Sequence, residues 1–288
     1  MILCFDIGAT GIKTGIFNNN SGTFFEEKEF KTVKNFNSFV TLINQIISDY
    51  RTLFDFKNIA IGFPGIIKDR GEIIFSPNLP FLINANIFEI IENSNKFFIK
   101  FENDANCAAL GAKTVFKKKD IVAITLGTGI GGGVILNGKL VKNSRKTGFE
   151  FGHITVKENG AICGCGKEGC LEAYSSATGM IKNFNKLCSK SVENFEELFK
   201  ISQNQLKARE VINKGFFYLG IGSSIIANIF APELMVFTGG IAKKFTYFKD
   251  VFEESFHKYT LPFIKEKMEI SIYNENNIGL LGAATLFL

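Results

Sequence analysis

Two short segments of this 288-residue chain repeat one glycine-rich pattern, and the repeat limits the folds that the chain can adopt. Thr10–Phe17 reads TGIKTGIF and Thr128–Ile135 reads TGIGGGVI, so both contain Thr-Gly-Ile, a glycine five residues after the threonine, and two apolar residues. Each segment follows an apolar stretch with strand character, at 2–7 and at 121–126. A strand, a tight turn and a strand used twice predict a duplicated α/β protein with two related lobes. The alternative is a chance similarity between two glycine-rich hairpins.

Chain length and hydrophobic pattern predict where the two lobes lie. A chain of 32.0 kDa is too large for one small core and suits two lobes of ordinary domain size. We place the first lobe at 1–113 and the second at 114–278, and we expect the apolar segment 279–288 to form a helix that packs back on the first lobe. The periodicity predicts strands at 2–7, 12–17, 23–30, 58–63, 97–101, 121–126, 131–136 and 234–238, and helices at 36–54, from 104 to about 113, and at 171–187, 193–201 and 204–230.

Net charge and cysteine spacing exclude several classes of protein. The formal net charge of +5 is modest and the basic residues are scattered, whereas a nucleic-acid-binding protein usually gathers them into a stripe. We expect no membrane span, because every apolar stretch is too short or is interrupted, and no signal peptide, because no basic segment precedes the first strand. The six cysteines lack the spacing of a disulfide framework, which favours a reducing, cytoplasmic location.

The segment from Gly127 to Gly133 is a candidate phosphate-binding loop, with five glycines in seven residues. It contains the spacing G-x-G-x-x-G, which is typical of dinucleotide-binding domains when the glycines open a helix. Here an apolar strand follows and runs into an Asn137-Gly138 turn, so the dinucleotide interpretation fails on its context. We expect the backbone N–H groups of the loop and the Thr128 hydroxyl to hold phosphate oxygens. The alternative is a purely structural turn.

The matching loop of the first repeat carries charged residues. Asp6 lies at the end of a buried strand, where a carboxylate is costly unless it is paired or bound to a metal. Beside a nucleotide it could hold Mg²⁺ through water, while Thr10 and Lys13 reach the phosphates. The alternative role for Asp6 is to cap the turn.

Asn103 and Asp104 lie where a predicted strand ends and a helix begins. A carboxylate there can accept the proton of a hydroxyl group while the oxygen attacks phosphorus, and neighbouring amides can hold a polyol. The competing interpretation is that Asp104 only caps the helix. Local sequence alone leaves both interpretations open.

A cluster of metal-ligand residues follows the second repeat. Three thiols at Cys163, Cys165 and Cys170, together with the imidazole of His153, form the Cys₃His set of a structural zinc site. The other histidine, His257, falls in an amphipathic helix and is expected at the surface. Clustered thiols without a bound metal would oxidise readily. The alternative, a zinc-ribbon module that binds nucleic acid, would need a second thiol pair or a basic face. We therefore expect Zn²⁺ in this loop.

Seven motifs spread over nearly the whole chain resemble those of the ROK family (repressor, open reading frame, kinase), and within it the glucokinase-like sugar kinases. They are Asp-Ile-Gly-x-Thr at 6–10, Gly-Phe-Pro-Gly at 62–65, Asn-Asp-x-Asn-x-Ala at 103–108, Leu-Gly-Thr-Gly-x-Gly-Gly-Gly at 126–133, Glu-Phe-Gly-His at 150–153, Cys-x-Cys-Gly-x-x-Gly-Cys-x-Glu at 163–172 and Gly-Gly at 239–240.

The resemblance implies an actin-like (ribonuclease H-like) fold in which two lobes close around a sugar and ATP and exclude water. It implies that Asp104 is the catalytic base. The sugar contacts that it implies are Pro64, Gly65, Asn78, Asn103, Asp104, Glu150, His153 and Glu172. The nucleotide contacts that it implies are Gly8, Thr10, Gly127, Thr128, Gly239 and Gly240, to which the loop reasoning adds Asp6, Lys13 and Gly129.

The resemblance also implies cofactors, partners and an activity. The cofactors are ATP, Mg²⁺ and Zn²⁺, with His153 ligating zinc through one ring nitrogen and a sugar hydroxyl through the other. The partners are a small-molecule sugar and a nucleotide, and relatives are often homodimers. The activity is phosphorylation of a hexose hydroxyl, with glucose as the first expectation. A sugar-responsive regulator is the alternative class, but Met1 lies too close to the first strand to leave room for a helix-turn-helix.

Three positions depart from the usual pattern of the family. The first loop reads Gly8-Ala9-Thr10-Gly11 instead of Gly-Gly-Thr-Lys, and its continuation to Lys13 is similar to polyphosphate-dependent glucokinases, although those lack this zinc cluster. Phe149 stands where a glycine is common before the glutamate, and Phe81 stands where relatives often have tryptophan. These departures leave open glucose, mannose, fructose, N-acetylglucosamine or N-acetylmannosamine as the sugar, and ATP or polyphosphate as the donor.

Overall fold

The computed structural model describes residues 1–142, 148–188, 191–275 and 277–288. The chain folds into two compact units. The first comprises Met1–Lys117 with the described residues of Lys139–Gly148 and Glu275–Leu288, and the second comprises Lys118–Gly138 with the described residues of Phe149–Asn274. The boundaries expected from the sequence, 1–113 and 114–278, instead assign 114–117, 139–148 and 275–278 to the second lobe.

Both units contain strands and helices. The strands are β1 (Ile2–Ile7), β2 (Gly11–Asn18), β3 (Thr23–Lys31), β4 (Asn58–Phe63), β5 (Ile66–Ile67), β6 (Ile73–Phe75), β7 (Phe98–Asn103), β8 (Ile121–Leu126), β9 (Ile130–Leu136), β10 (Lys139–Leu140), β11 (Leu234–Thr238) and β12 (Glu269–Tyr273). The helices are α1 (Phe36–Leu53), α2 (Ile87–Ile90), α3 (Asp104–Phe116), α4 (Glu172–Ser175), α5 (Ala177–Leu187), α6 (Phe195–Ser202), α7 (Leu206–Phe230), α8 (Lys249–Tyr259), α9 (Pro262–Lys265) and α10 (Ile278–Ala284).

The two main sheets share one connectivity. In the first, with strand order β3-β2-β1-β4-β7, β1 pairs antiparallel with β2 and parallel with β4. In the second, β8 pairs antiparallel with β9 and parallel with β11, and β12 follows β11. The two repeated segments lead into β2 and β9, the equivalent strands of the two hairpins. The duplicated two-lobe α/β fold class is thus confirmed.

The first sheet is covered by helices on both faces. One core includes Phe39, Ile43 and Tyr50 of α1, at helical spacing, packed with apolar residues of β1, β2 and β4. Another core joins β1, β2 and β4 to Cys107 of α3 and to α10, whose Leu280 is buried. Because α10 is almost wholly apolar, it is stable only when packed in this way, and its contacts with α3 and β1 agree with the expectation from sequence.

Several predicted elements differ from the structure in detail. The single helix expected at 171–187 is broken at Ser176, which has an extended backbone and caps α5 by accepting a hydrogen bond from the Gly179 N–H. The sequence analysis proposed no strand at β12, which lies at the edge of its sheet. It placed His257 on an amphipathic helix, and the structure confirms this with α8.

The Asn137-Gly138 turn between β9 and β10 has positive φ at both residues, as a two-residue hairpin turn requires. The helices of the described residues include none that combines the length and apolar character needed to cross a membrane.

Candidate active site and metal centre

Three residues on neighbouring strands form a row across the first sheet. Gly62 on β4 pairs with Asp6 on β1 and with Glu102 on β7. Residues paired across strands point to the same face, so both carboxylates flank a position that has no side chain. Cys107 of α3 packs there, with Sγ 3.4 Å from a Cβ atom built on Gly62. Burial raises the pKa of the Cys107 thiol, and the charges of Glu102, Asp6 and Asp104 raise it further.

Asp6 is a strand residue whose carboxylate is held in a restricted space. Burial raises its pKa above the ordinary value, Lys13 on the paired strand opposes this shift, and Glu29 adds to it. A Cβ atom built on Gly279 of α10 would lie 2.4 Å from Asp6 Oδ2, so glycine is required where this helix passes the carboxylate.

The loop after β1 is closed by its own backbone. The Gly8 N–H donates to the Gly11 carbonyl at 2.8 Å, so Asp6 is not needed to close the turn. Thr32 holds the loop from outside: its hydroxyl donates to the Gly8 carbonyl at 2.8 Å and its N–H to the Thr10 carbonyl at 3.2 Å. Thr10 is exposed at the tip of the loop, where its hydroxyl can meet a ligand.

Asn103, not Asp104, caps α3. The Asn103 Oδ1 accepts from the N–H groups of Ala105, at 3.0 Å, and Asn106, at 3.2 Å. Asp104 is the first helical residue and its Oδ1 also accepts from the Ala105 N–H at 2.9 Å, so the capping residue is Asn103 rather than Asp104. Its carboxylate lies at the positive end of the helix dipole, which favours the ionised form of a base. Asn103 Nδ2 also donates to the Gly65 carbonyl at 3.5 Å, which brings these two predicted sugar contacts together.

The Pro64-Gly65 turn is fixed against the end of β6. The Ser76 hydroxyl donates to the Pro64 carbonyl at 2.9 Å, and a Cβ atom built on Gly65 would lie 2.1 Å from the Phe75 carbonyl oxygen. Glycine is therefore required at this close approach. Asn78 is exposed in the turn that follows Ser76.

In the second unit, the glycine-rich loop between β8 and β9 is tied to the helices that follow the cysteine cluster. The Gly127 N–H donates to the Gly129 carbonyl at 3.0 Å, and the Gly127 carbonyl accepts from the Ala177 N–H at 2.9 Å. Glu172 Oε2 accepts from the Ile130 N–H at 2.8 Å. A strand follows this loop, as expected from the sequence, so the loop has the β–turn–β context of a phosphate-binding hairpin.

Gly239 and Gly240 lie beside that loop. They follow β11, which is parallel to β8, so both glycine segments extend from the same edge of the sheet. Gly239 has φ +103°, and a Cβ atom there would lie 2.4 Å from the Leu126 carbonyl oxygen. The same carbonyl accepts from the Ile241 N–H at 3.1 Å. The predicted nucleotide contacts of the second unit are thus neighbours, with Thr128 exposed at the tip of its loop.

The predicted zinc ligands lie close enough together to surround one tetrahedral metal ion. The ligand atoms of His153, Cys163, Cys165 and Cys170 all lie within 4.8 Å of one another. Cys165 and Cys170 Sγ are 3.7 Å apart, as are Cys163 Sγ and His153 Nδ1. Ligands about 2.3 Å from a tetrahedral zinc ion are separated by about 3.8 Å, so this set fits Zn²⁺.

The three thiols lie in different environments. Burial raises the pKa of Cys170 to about 12 and also raises that of Cys163, whereas the backbone N–H of Lys167 lowers the pKa of Cys165. A metal binds thiolates, so zinc binding here would release protons.

The predicted sugar contacts of the second unit converge on this cluster. His153 Nε2 lies 3.9 Å from Glu150 Oε2, while Nδ1 faces Cys163. Glu172 Oε1 lies 3.9 Å from Cys163 Sγ. Burial raises the pKa of Glu150, His153 lowers it and Glu172 raises it. The cluster thus holds Glu150, His153 and Glu172 together.

Glu102 and Phe149 have neighbours in the structure that the sequence did not predict. Glu102, two residues before the predicted base Asp104, pairs with Lys142, Oε2 to Nζ at 2.6 Å. The only sequence signal was an acidic residue at the end of a half-apolar strand. Phe149, which replaces the usual glycine of the family pattern, packs its ring against Phe151 and Phe230 at centroid distances of 5.5 and 5.4 Å.

Known proteins share this chain's sequence and fold. The ROK family pattern matches residues 2–288. A glucokinase of Halalkalibacterium halodurans is 29% identical over 98% of this chain and 93% of its own length, and an N-acetyl-D-glucosamine kinase of Citrobacter koseri is 26% identical over 99% and 98%. The crystal structure of a ROK family glucokinase from Streptomyces griseus, in complex with glucose and AMPPNP, has a TM-score of 0.82 and 25% identity, covering 99% of this chain and 98% of that one. Because the family match spans nearly the whole chain, this protein belongs to the ROK family.

Proposed function

We propose that this chain is an ATP-dependent hexose kinase that converts glucose to glucose 6-phosphate, with Asp104 as the catalytic base. The observation that carries the proposal is the position of Asp104 at the first turn of α3, where Asn103 takes over the capping role. Asn103 supplies the cap, and Asp104, which also accepts from the Ala105 N–H at 2.9 Å, is the carboxylate that we assign to the reacting hydroxyl.

In the proposed reaction the sugar hydroxyl oxygen forms a bond with the γ-phosphorus of ATP. The bond between that phosphorus and the bridging oxygen breaks, and ADP leaves. The hydroxyl proton moves to Asp104, whose ionised form is favoured by the helix N-terminus. Charge develops on the transferring phosphoryl group, so positioning and electrostatic stabilisation supply most of the catalysis.

We propose sugar contacts in each unit. In the first unit Pro64, Gly65, Asn78, Asn103 and Asp104 are the proposed contacts, and in the second Glu150, His153 and Glu172. Since His153 Nδ1 faces Cys163, its Nε2 is left for a sugar hydroxyl. When bound to His153, Cys163, Cys165 and Cys170, zinc would fix the loop that presents these residues.

The nucleotide would bind to the hairpin loops of the repeats and to the glycine pair. Backbone N–H groups of a glycine-rich turn form an anion-binding concavity, to which the Thr10 and Thr128 hydroxyls would add. Asp6 would hold Mg²⁺ through water, and Lys13 would reach a phosphate. The full set of proposed contacts is Asp6, Gly8, Thr10, Lys13, Gly127, Thr128, Gly129, Gly239 and Gly240.

A screen of purified protein against sugars and donors tests this proposal. Mg-ATP and polyphosphate are each offered with glucose, mannose, fructose, N-acetylglucosamine and N-acetylmannosamine, and sugar phosphate is measured directly. The highest kcat/KM is expected for glucose with Mg-ATP. If none of these sugars is phosphorylated with either donor, the proposal is wrong.

A kinase for N-acetylglucosamine is the second candidate, supported by the similarity to the Citrobacter koseri enzyme over nearly the full length. Phe149 stands where a glycine is usual, directly before the proposed sugar contact Glu150, so the sequence pattern at this position does not favour glucose. The same screen separates the candidates, because a preference for the 2-acetamido sugar over glucose would replace glucose as the substrate.

A further inference from the structure

Glu102 is a mostly buried carboxylate with three partners at the start of α3. Its side chain is 8% exposed. Oε1 accepts from the Asn103 N–H and from Asn106 Nδ2, both at 3.0 Å, and Oε2 pairs with Lys142 Nζ at 2.6 Å. A buried carboxylate is retained at a cost unless such partners compensate its lost hydration.

Through these contacts Glu102 joins two residues at the start of α3. Asn103 is the cap and Asn106 is the third helical residue, so Glu102 links the N–H of the cap to the side chain of that third residue. In an ordinary capping box the third residue reaches the cap directly, whereas here Glu102 acts as the bridge. Asp104 lies between the two bridged residues.

Asn106 shows that this bridge is specific. It is 1% exposed, and its Oδ1 has no hydrogen-bond partner within the described parts of the chain. Neighbouring helix positions hold alanine or cysteine, so an apolar residue would avoid the unpaired oxygen. The amide donation from Nδ2 to Glu102 is the contact that an apolar residue would lose.

Lys142 supplies the positive charge that Glu102 needs. Its side chain is 59% exposed, but its ammonium group reaches the mostly buried carboxylate. Asp6, across Gly62, and Asp104 are the nearest acidic groups around Cys107. Without Lys142, a third negative charge in this group would be unpaired.

We propose that Glu102, paired with Lys142, is a positioning residue for Asp104. It fixes the first turn of α3 through the Asn103 N–H and the Asn106 amide, and Lys142 allows it to do so in ionised form. The inference rests on the proposed function only in that Asp104 is the base. Its structural part, the rigidity of residues 103–106, stands independently of that role.

Lys142→Met, Glu102→Gln and the double variant test the inference. In Lys142→Met we expect kcat to fall about tenfold with a change in the sugar KM below about twofold, because the base is displaced while most sugar contacts remain. Glu102→Gln keeps an acceptor for both amides and should lose less. The double variant should recover activity relative to Lys142→Met, because no lone charge remains. Lys142→Arg, which keeps the charge, should stay within about twofold of wild type.

The control is an exposed pair of the same length. Lys68 and Glu72 are also 2.6 Å apart, with side chains 55% and 45% exposed. Lys68→Met should leave kcat and KM unchanged, because exposed ion pairs contribute little.

Hydrogen exchange measured by mass spectrometry gives a second readout without turnover. In Lys142→Met the peptide over residues 103–106 should exchange faster than in wild type or in Lys68→Met. Wild-type kcat together with unchanged exchange in Lys142→Met, or a double variant at least as impaired as the sum of the single effects, would overturn the inference. If the wild-type protein phosphorylates no sugar, the proposed function fails, and the exchange result alone then decides the positioning role.

Discussion

At the scale of single residues, the start of α3 separates two tasks that one aspartate could have combined. Asn103 satisfies the N–H groups of Ala105 and Asn106, and so it performs the capping that the helix needs. Asp104 then occupies the first helical position, where the dipole favours its negative charge. This division of roles makes the local sequence Asn-Asp suitable for base catalysis.

Asp104→Asn is expected to lower kcat by about 10²- to 10⁴-fold, because an amide cannot accept the hydroxyl proton. Sugar affinity, measured by calorimetry, should change little, since the amide retains the shape of the side chain. Asp250→Asn is the matched control, because Asp250 lies in the first turn of α8 and shares the helix-end environment. Equal turnover in Asp104→Asn and wild type would remove Asp104 as the base.

Asp6→Asn should raise stability at neutral pH while abolishing Mg-ATP turnover. Burial raises the folded-state pKa of Asp6 above its ordinary value of 3.8. A raised pKa favours folding when the group is protonated, and this contribution is lost as pH rises through the folded pKa. The melting temperature of the variant should therefore exceed that of wild type at pH 7, and the difference should shrink towards pH 4. A variant less stable than wild type at pH 7 would contradict this expectation, and Asp49→Asn, at an exposed position of α1, is the control.

At the scale of elements, glycines decide how closely α10 approaches α3 and β1. Cβ atoms built on Gly111 and Gly282 would lie 2.1 Å from the Ile278 carbonyl oxygen and 1.7 Å from the Cys107 carbonyl oxygen, respectively. The backbones of α3 and α10 are therefore in direct contact where the two helices cross. The helix that carries Asp104 is held in place by this contact.

Gly282→Ala should destabilise the protein by about 1–3 kcal/mol, because the added methyl group forces the two helices apart. Urea unfolding followed by circular dichroism measures the loss. Gly240→Ala is the control for stability, since a Cβ atom there meets nothing within 4 Å. An unchanged unfolding midpoint in Gly282→Ala would show that the helices can separate without cost.

At the scale of the whole molecule, each unit contains some of the residues that we propose for function. The first unit holds Asp6, Asn103 and Asp104, and the second holds the cysteine cluster with Glu150 and Glu172. Since the predicted zinc ligands all belong to the second unit, metal loss should act there first.

Cys165→Ser should lose zinc and weaken sugar binding by about tenfold or more, because the loop that carries Glu172 loses its anchor. Metal analysis and calorimetry measure the two losses. Hydrogen exchange should accelerate between 149 and 187 but stay unchanged in α3 and α10. Cys188→Ser is the control, since Cys188 lies outside the cluster. Wild-type protein without stoichiometric zinc would refute the metal assignment.

The sequence predicted most of the architecture because hydrophobic periodicity and the internal repeat are local properties of the chain. The strand–turn–strand repeat led to β1–β2 and β8–β9, and the apolar spacing of Phe39, Ile43 and Ile46 led to α1. The sequence missed β12, whose edge position gives a weak pattern, and it did not foresee the break at Ser176, where a side-chain cap competes with helix continuation.

By itself the sequence predicted the duplicated α/β class and the cluster of His153, Cys163, Cys165 and Cys170, because repeats and short-range spacing are local properties. The structure places these four ligand atoms within 4.8 Å of one another. Only the tertiary structure decided that Asn103 rather than Asp104 caps α3, and that Lys142 neutralises Glu102. The reason is physical: the choice of cap depends on the backbone conformation at Asn103 and Asp104, and the charge pair joins residues that are distant along the chain. Glu102 and Lys142 become partners only when β7, α3 and the segment that follows β10 pack together in one unit.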